Sequence, residues 1–337
     1  MLCFKQRVSR VVMPAIGIWA VVCGLALLSV EHAVAVWTPE RNIEIIVGNK
    51  PGGGNDATAR EIQRLVQMRH LINASTSVVN KPGGGGAVSI AYLNQQQGDG
   101  HHLAISSTTL LTNYARGAGP ASYTDITPIA LLFSDYIAFA VQAHSPVKDG
   151  QDFFVHLKKN PSGMSIGFSS SVGNANHIAL ALAARSVGVD IRKLKTVIFG
   201  SGGETITALL GGHVDAIVTV PSQVLPYMLS GKLRTIGISA PGRLTGLFAG
   251  VPTWKEQGVN SVFSNWRGVI GPRGLNAEQI AYWDSVFARL TALDEWKRSL
   301  EKNLWLNEYM NSGRTRQYFD AQYQEIKSVL TELGLAN

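Results

Sequence analysis

The sequence predicts an α/β protein built on parallel strands, and three observations carry that expectation. Five times an apolar run ends in a glycine- or hydroxyl-rich loop that opens a helical pattern, the alternation expected of crossover units. No fixed period links the five units, which excludes a solenoid. The composition, 45% hydrophobic with 35 glycines and only 16% charged residues, excludes a disordered or coiled-coil chain. At 337 residues about two domains are expected, with a core large enough to need neither disulfide nor structural metal.

The first thirty-five residues stand outside this pattern. Lys5, Arg7 and Arg10 precede an uncharged run from Val11 to Val30, and Ala33-Val34-Ala35 follows as a small-x-small site. That is the layout of a secretory signal peptide, with cleavage expected after Ala35 and a periplasmic destination. The run is also long enough to span a bilayer as an uncleaved anchor, but Pro14, Gly17 and the Ala-x-Ala site favour cleavage. Val22 before Cys23 opposes a lipoprotein site, where a small residue is usual. Cleavage removes both cysteines, Cys3 and Cys23, leaving no thiol chemistry and no cysteine-based zinc site. Export without disulfides fits a bacterial periplasm. The formal charge falls from +7 to +5, 27 basic against 22 acidic residues on 302. The densest basic stretch, Arg192-Lys193-Leu194-Lys195, is short and lacks interleaved aromatics, so no nucleic-acid partner is expected.

The units follow in order. Asn42 to Val47 reads as a strand that ends in Gly48-Asn49-Lys50-Pro51-Gly52-Gly53-Gly54-Asn55-Asp56 and hands over to an amphipathic helix from Ala57 to about Met68. Ser77 to Val79 leads through Asn80-Lys81-Pro82 and four glycines into Ala87 to Gln97. His102 to Ile105 leads into Ser106-Ser107-Thr108-Thr109. Met164 to Phe168 leads through Ser169-Ser170-Ser171-Val172-Gly173-Asn174 into a helix past His177 to about Val187. Thr196 to Phe199 leads through Gly200-Ser201-Gly202-Gly203-Glu204 into Thr205 to Leu210. After about Ala277 the pattern changes: Ile280, Trp283, Phe287 and Leu290 share one helical face, and Tyr318, Ile326, Leu330 and Leu333 roughly another. The C-terminal quarter is therefore expected to be helices wrapped on a domain already formed.

In open α/β sheets such loops gather at the carboxyl ends of the strands, where ligands bind. Each brings a helix N-terminus with unpaired N–H groups and partial positive charge, so the shared cleft suits an anion. Nucleotides fit poorly. The glycine spacing from Gly48 to Gly53 is that of a P-loop, but Gly54 and Asn55 stand where Lys and Ser/Thr are required. Gly52-x-Gly54-x-x-Ala57 satisfies a dinucleotide fingerprint, yet the next strand ends in Asn80-Lys81 and lacks the acidic residue for the ribose. Catalytic patterns are equally scarce. There is no Gly-x-Ser-x-Gly elbow and no His-Glu-x-x-His, and adjacent His101 and His102 point to opposite faces of a strand. Ser169 to Ser171 with His177 keep an exported hydrolase as an alternative. No catalytic residue, metal or cofactor is assigned.

Taken together, Ile45-Ile46-Val47 with Pro51-Gly52-Gly53-Gly54-Asn55-Asp56, and Val79-Asn80-Lys81-Pro82 with Gly83 to Gly86, form a family pattern. It continues through Gly202-Gly203, Leu209-Leu210-Gly211-Gly212-His213-Val214-Asp215, Gly231-Lys232-Leu233-Arg234 and Val251-Pro252-Thr253. In that order, over essentially the whole mature chain, the sequence resembles the solute receptors of the tripartite tricarboxylate transporters, the Bug-type periplasmic receptors. Thr127-Pro128-Ile129-Ala130, Ser264-Asn265-Trp266-Arg267-Gly268 and Gly202-Gly203-Glu204 are similar to the tricarboxylate-binding branch. Two positions depart from the pattern. Asn49-Lys50-Pro51 replaces aromatic and proline residues, and Asn55 replaces a frequent threonine.

The resemblance implies a two-lobe periplasmic binding protein of type II-like architecture with the ligand cleft between the lobes. Ile137 to Val141 and Phe263 to Gly271 are the natural crossing strands, so lobe 1 is expected at 36–140 and 263–337 and lobe 2 at 141–262, with 1–35 as signal peptide. A small carboxylate, such as citrate, tricarballylate or a dicarboxylate, is expected between them and is delivered by a monomeric receptor to the transporter's membrane components. A stand-alone periplasmic carboxylate sensor or a membrane-anchored interaction domain would also fit the sequence. Gly53, Gly54 and Asn55, with Ser107 and Thr108, are expected to hold one end of the ligand. Ser170, Asn174, His177, Gly202 and Gly203 would approach from the second lobe, where glycine lets a ligand near the main chain. Arg267 is the candidate bidentate carboxylate partner, Asp215 lies in a turn or the cleft, and Asp56 reads as a helix-start residue. Ser201 and Glu204 form a capping box by sequence.

Overall fold

A computed structural model describes residues 1–2, 37–52, 54–118, 122–169 and 171–336. The expected cleavage site after Ala35 lies outside the described residues, as do Gly53 and Ser170. The eleven named strands form two sheets. The first holds β1 (Ile43–Val47), β2 (Thr76–Asn80), β3 (His102–Ser107), β4 (Ile126–Tyr136), β10 (Ser264–Pro272) and β11 (Leu306–Met310), in the order β11-β4-β10-β3-β1-β2. The second holds β5 (Ala138–Gln142), β6 (Ser165–Ser169), β7 (Lys195–Phe199), β8 (Ala216–Thr219) and β9 (Leu233–Ile238), in the order β7-β6-β8-β5-β9.

Both sheets are mixed, where the alternating pattern alone predicts parallel pairing. β1 runs parallel to β2 and β3, and β6 parallel to β7 and β8. These are the crossover units read from the sequence. By contrast β10 runs antiparallel to β3 and β4, and β5 antiparallel to β8 and β9. The reason is topological. The chain leaves the first sheet along β4 and returns along β10, so the outgoing and returning strands pair in opposite directions.

Helices cover both faces of each sheet. In the first, Ile45, Val47, Leu103 and Val269 pack with Ile62 and Leu65 of α1 (Gly54–Met68) and with Trp283 and Phe287 of α8 (Ala277–Ala292). Their neighbours Ile46, Ala104 and Ile270 face the other way, onto Leu93 of α2 (Ala87–Asn94), Leu111 of α3 (Thr109–Ala115) and Phe319 of α10 (Ser312–Glu332). Burial on both faces explains why these strands are nearly continuous apolar runs and not alternating ones. The second sheet repeats the plan with Phe153 of α4 (Gly150–Lys159) and Ile178 of α5 (Ala175–Ser186) on one side. Leu209 of α6 (Gly202–Leu210) and Val224 of α7 (Pro221–Leu229) cover the other. Each such fully buried side chain contributes roughly 1.5–3 kcal/mol.

The C-terminal quarter supplies α8, α9 (Asp294–Asn303) and α10, and one element the helical stripes hide. β11 adds an antiparallel edge strand to β4. α10 then returns across the first sheet: Trp266 stacks on Phe319 with centroids 4.5 Å apart, and Thr315 Oγ1 accepts from Leu131 N at 2.9 Å.

The passage between the sheets is tied by one side chain. Ser239 Oγ accepts from Ile137 N at 2.9 Å, between β4 and β5, and donates to Phe263 O at 2.6 Å, just before β10. Its backbone pairs with the same two residues, Ser239 N to Ile137 O at 2.9 Å and Phe263 N to Ser239 O at 3.0 Å. Ser239 is fully buried, so no water stands in for these bonds.

Candidate functional site

The carboxyl ends of β1, β2, β3, β6 and β8 open onto one cleft of about 650 Å³, within the range of small-molecule sites. From the first sheet come Asn49, Gly54, Asn55, Gly85, Ser107, Thr109, Asn113 and Arg116; from the second, Ser169, Ser171, Gly173, Asn174, Thr219 and Gln223. Its floor is the β4–β10 pair. Asn265 stands opposite Asp135 and Arg267 opposite Phe133. Directly opposed residues share a face, which puts these four together toward the cleft with Trp305, while Trp266 and Ser134 point away. Among the described lining residues only Arg116, Asp135 and Arg267 are charged.

Arg267 is fixed from one side. Its Nη1 donates to Asn265 Oδ1 at 3.1 Å and to Trp266 O at 3.0 Å. Its Nη2 lies 3.5 Å from where a Cβ on Gly54 would stand, so the guanidinium reaches the first residue of α1. Burial lowers its pKa and the Asp135 charge opposes that shift, but a guanidinium stays charged. Asp135 is nearly buried, and desolvation pushes its carboxyl up to about 7 against the Arg267 charge and a hydrogen bond from Trp305.

The first glycine loop is closed by Asp56, which caps its own turn. Its carboxylate accepts from Arg60 Nε at 2.9 Å, Gly52 N at 3.0 Å and Asn80 Nδ2 at 2.9 Å. The Arg60 hydrogen bond leads in holding its pKa down at about 2, against desolvation. Asn55 donates Nδ2 to Asn49 Oδ1 at 3.0 Å, leaving two amides on the rim. The second loop runs Gly83 to Gly86 entirely at positive φ, between +55° and +138°, a run other residues resist. Gly85 O accepts from Asn113 Nδ2 at 3.0 Å. Between the two loops opens a recess of about 70 Å³, lined in part by Ile90, Ile105, Leu110 and Tyr114.

Several predicted site residues come together in this cleft: Gly54, Asn55, Ser107, Asn174 and Arg267. Asn174 is the N-cap of α5, accepting from His177 N at 3.0 Å and donating Nδ2 to Ser169 O at 2.5 Å. Others stand elsewhere. Thr108 is fully buried and donates to Ser264 O at 3.2 Å, so the strand-to-helix corner presents Thr109 to the cleft. His177 Nδ1 accepts from Gly173 N at 2.9 Å and its ring stacks on Phe168. Burial pulls its pKa down to about 4 and keeps it neutral. Gly202 and Gly203 begin α6 behind Ser201, whose Oγ accepts from Glu204 N at 3.2 Å while Glu204 accepts from Gly200 N at 3.0 Å. Gln223 packs over Gly202 and forms the wall in its place. Asp215 precedes β8 and accepts from Ser165 N and Oγ, both at 2.7 Å. The other end of β8, Thr219, reaches the cleft, so Asp215 is a strand length away, about 13 Å at the usual rise.

Residue-by-residue reading missed Asp135, Phe133, Asn265, Trp305 and Gln223. A signal existed for the first: Ser134-Asp135 interrupts the apolar run from Ile129 to Val141.

Comparison with known proteins agrees with this architecture. The chain is 25% identical over 270 residues to protein BugT of Bordetella pertussis, covering 79% of each. A TctC solute binding protein from Polaromonas superposes with a TM-score of 0.77 at 26% identity, covering 88% of this chain and 99% of that one. Two Rhodopseudomonas palustris proteins share the fold. Rpa4515 with adipate has a TM-score of 0.73 at 21% identity, over 88% of this chain and 99% of that one. MatC with bound malate has a TM-score of 0.63 at 22% identity, over 89% and 100%. The family model described as "Tripartite tricarboxylate transporter family receptor" matches residues 58–335. With its two-lobe α/β fold, the chain belongs to the tripartite tricarboxylate transporter receptor family.

Proposed function

We propose that this receptor captures a small carboxylate between its two lobes in the periplasm and delivers it to the membrane components of a tripartite transporter. The observation that carries this reading is Arg267 on the cleft floor, reaching the first residue of α1 among neutral donors. Lobe 1 would comprise 36–140 with 263–337, and lobe 2 141–262. The sheets exchange the chain at Ile137 and again ahead of Ser264, which supports boundaries close to these. Arg267 would take one ligand carboxylate, with the N-terminal N–H groups of α1 and the amides of Asn55 and Asn174 around it. The apolar recess beside Ile90 and Leu110 suits a short methylene stem. The described lining residues include two cations and one carboxylate, which favours a ligand with one or two carboxylates over citrate or tricarballylate. The adipate and malate of the two Rhodopseudomonas palustris proteins are of that kind.

Capture would be binding without chemistry. His177, the histidine beside the serine loop, accepts Gly173 N–H at Nδ1, which puts its proton on Nε2 and leaves neither nitrogen free to act as a serine's base. A ligand that touches both lobes only when they close shifts the population toward the closed form. Titration of the exported protein with adipate, malate, succinate and citrate tests the reading, alongside Arg267→Ala. Binding of a dicarboxylate that the variant loses supports it; turnover of an ester substrate with no carboxylate binding refutes it.

A further inference from the structure

Asp135 is the one carboxylate among the described lining residues, and it stands where an anionic ligand is expected to arrive. Its side chain comes from the next-to-last residue of β4 and is 7% exposed. Asn265 lies directly across, and Arg267 one pair further along the same face. Asp135 and Arg267 interact through their charges, and no direct ion pair joins them among the described residues. The other charged group lining the cleft is Arg116, beyond the end of α3. Trp305 carries no charge and its indole only lowers the Asp135 pKa slightly. Glu308 engages Ser134 and Tyr136 on the opposite face of β4.

A ligand carboxylate that takes the remaining Arg267 donors adds a second negative charge beside the same guanidinium. Closure then removes the water that would screen the two anions from each other. Two carboxylates sharing one site do not both stay ionised. The one fixed in the protein interior gains most from a proton, since the ligand carboxylate keeps the cation. Resting on the carboxylate-capture reading above, we propose that Asp135 takes up a proton as the ligand is captured and then donates its O–H to the ligand carboxylate. Asp135 is thereby a binding residue selective for carboxylates, whose basic oxygens make strong acceptors for such a donor. The bond that forms is one O–H on Asp135, and the proton comes from solvent. The burial that already brings this carboxyl up to about 7 puts the step within reach near neutral pH.

Isothermal titration of the exported protein with adipate and with malate, in phosphate and in Tris at matched pH, tests this. The difference in observed heat between buffers reads the protons exchanged. The expected result is net uptake, rising toward about one proton per ligand between about pH 7 and 8.5, with affinity falling over that same range at a slope approaching about tenfold per pH unit. Asp135→Asn, which keeps an N–H donor, is expected to bind without proton exchange and with little pH dependence. Equal heats in both buffers for the unmodified protein, or uptake that survives Asp135→Asn, overturn the proposal and leave carboxylate capture standing. Should the variant fail to fold, the buffer comparison decides alone. Absence of binding by every carboxylate tried overturns both.

Discussion

Trp305 stacks on Phe133 with ring centroids 4.2 Å apart and planes 14° from parallel. Phe133 belongs to β4 and Trp305 to the turn ahead of β11, so the stack fastens the C-terminal segment to the cleft floor. The same indole N–H favours the ionised form of the Asp135 carboxyl beside it. Trp305→Ala is expected to destabilise the protein by about 2 kcal/mol, since Trp305 is only partly buried. Urea unfolding measures that loss. Trp305→Phe, which restores the stack without the N–H, should recover most of the stability.

Arg267 should be hard to replace. Arg267→Ala removes the only floor cation, and Arg267→Lys keeps a charge without the planar fork. Carboxylate affinity is expected to fall by roughly a hundredfold in the first and about tenfold in the second. Calorimetric titration separates the two, and equal losses would argue for charge alone.

Ser239 offers a test of how the sheets are joined. Ser239→Ala leaves Ile137 N without its buried acceptor and removes the donor to Phe263 O. The expected cost is about 1–3 kcal/mol, visible as a lower denaturation midpoint.

His177 separates a structural role from a ligand role. Its pKa is pulled from 6.5 to about 4 by burial, so between those values the unfolded chain binds the extra proton. The neutral ring therefore contributes stability that is fully present above 6.5 and is lost as pH falls toward 4. His177→Gln, which keeps an acceptor for Gly173 N, should flatten that part of the pH–stability curve and leave carboxylate affinity within about twofold. A large loss of affinity would return His177 to the site.

Much of this was legible from residue order because glycine loops and caps are local. The loops after β1, β2, β3 and β6 all meet the cleft, and Ser201 caps Glu204 N as their spacing suggested, while the Glu204 carboxylate returns to Gly200 N, one residue before the capping-box partner. What escaped depends on pairing over long separations. Asp135 and Arg267 are neighbours only because β4 and β10 are outgoing and returning strands. Thr108 was one residue from the lining position, a phase that the corner after β3 sets. Asp215 followed the family pattern but lies at the wrong end of its strand for the cleft. β11 was hidden between the two apolar stripes that read as helices.

Carboxylate capture at Arg267 is tested most directly by thermal unfolding of the protein across a carboxylate panel, with Arg267→Ala in parallel. A ligand at about a hundred times its Kd stabilises the folded form by about 2.7 kcal/mol, a shift of a few degrees in Tm for a chain of this size. The expected result is such a shift with a dicarboxylate, smaller or absent with citrate, and abolished by Arg267→Ala. An unchanged Tm with every carboxylate, or a shift that persists without Arg267, would contradict it.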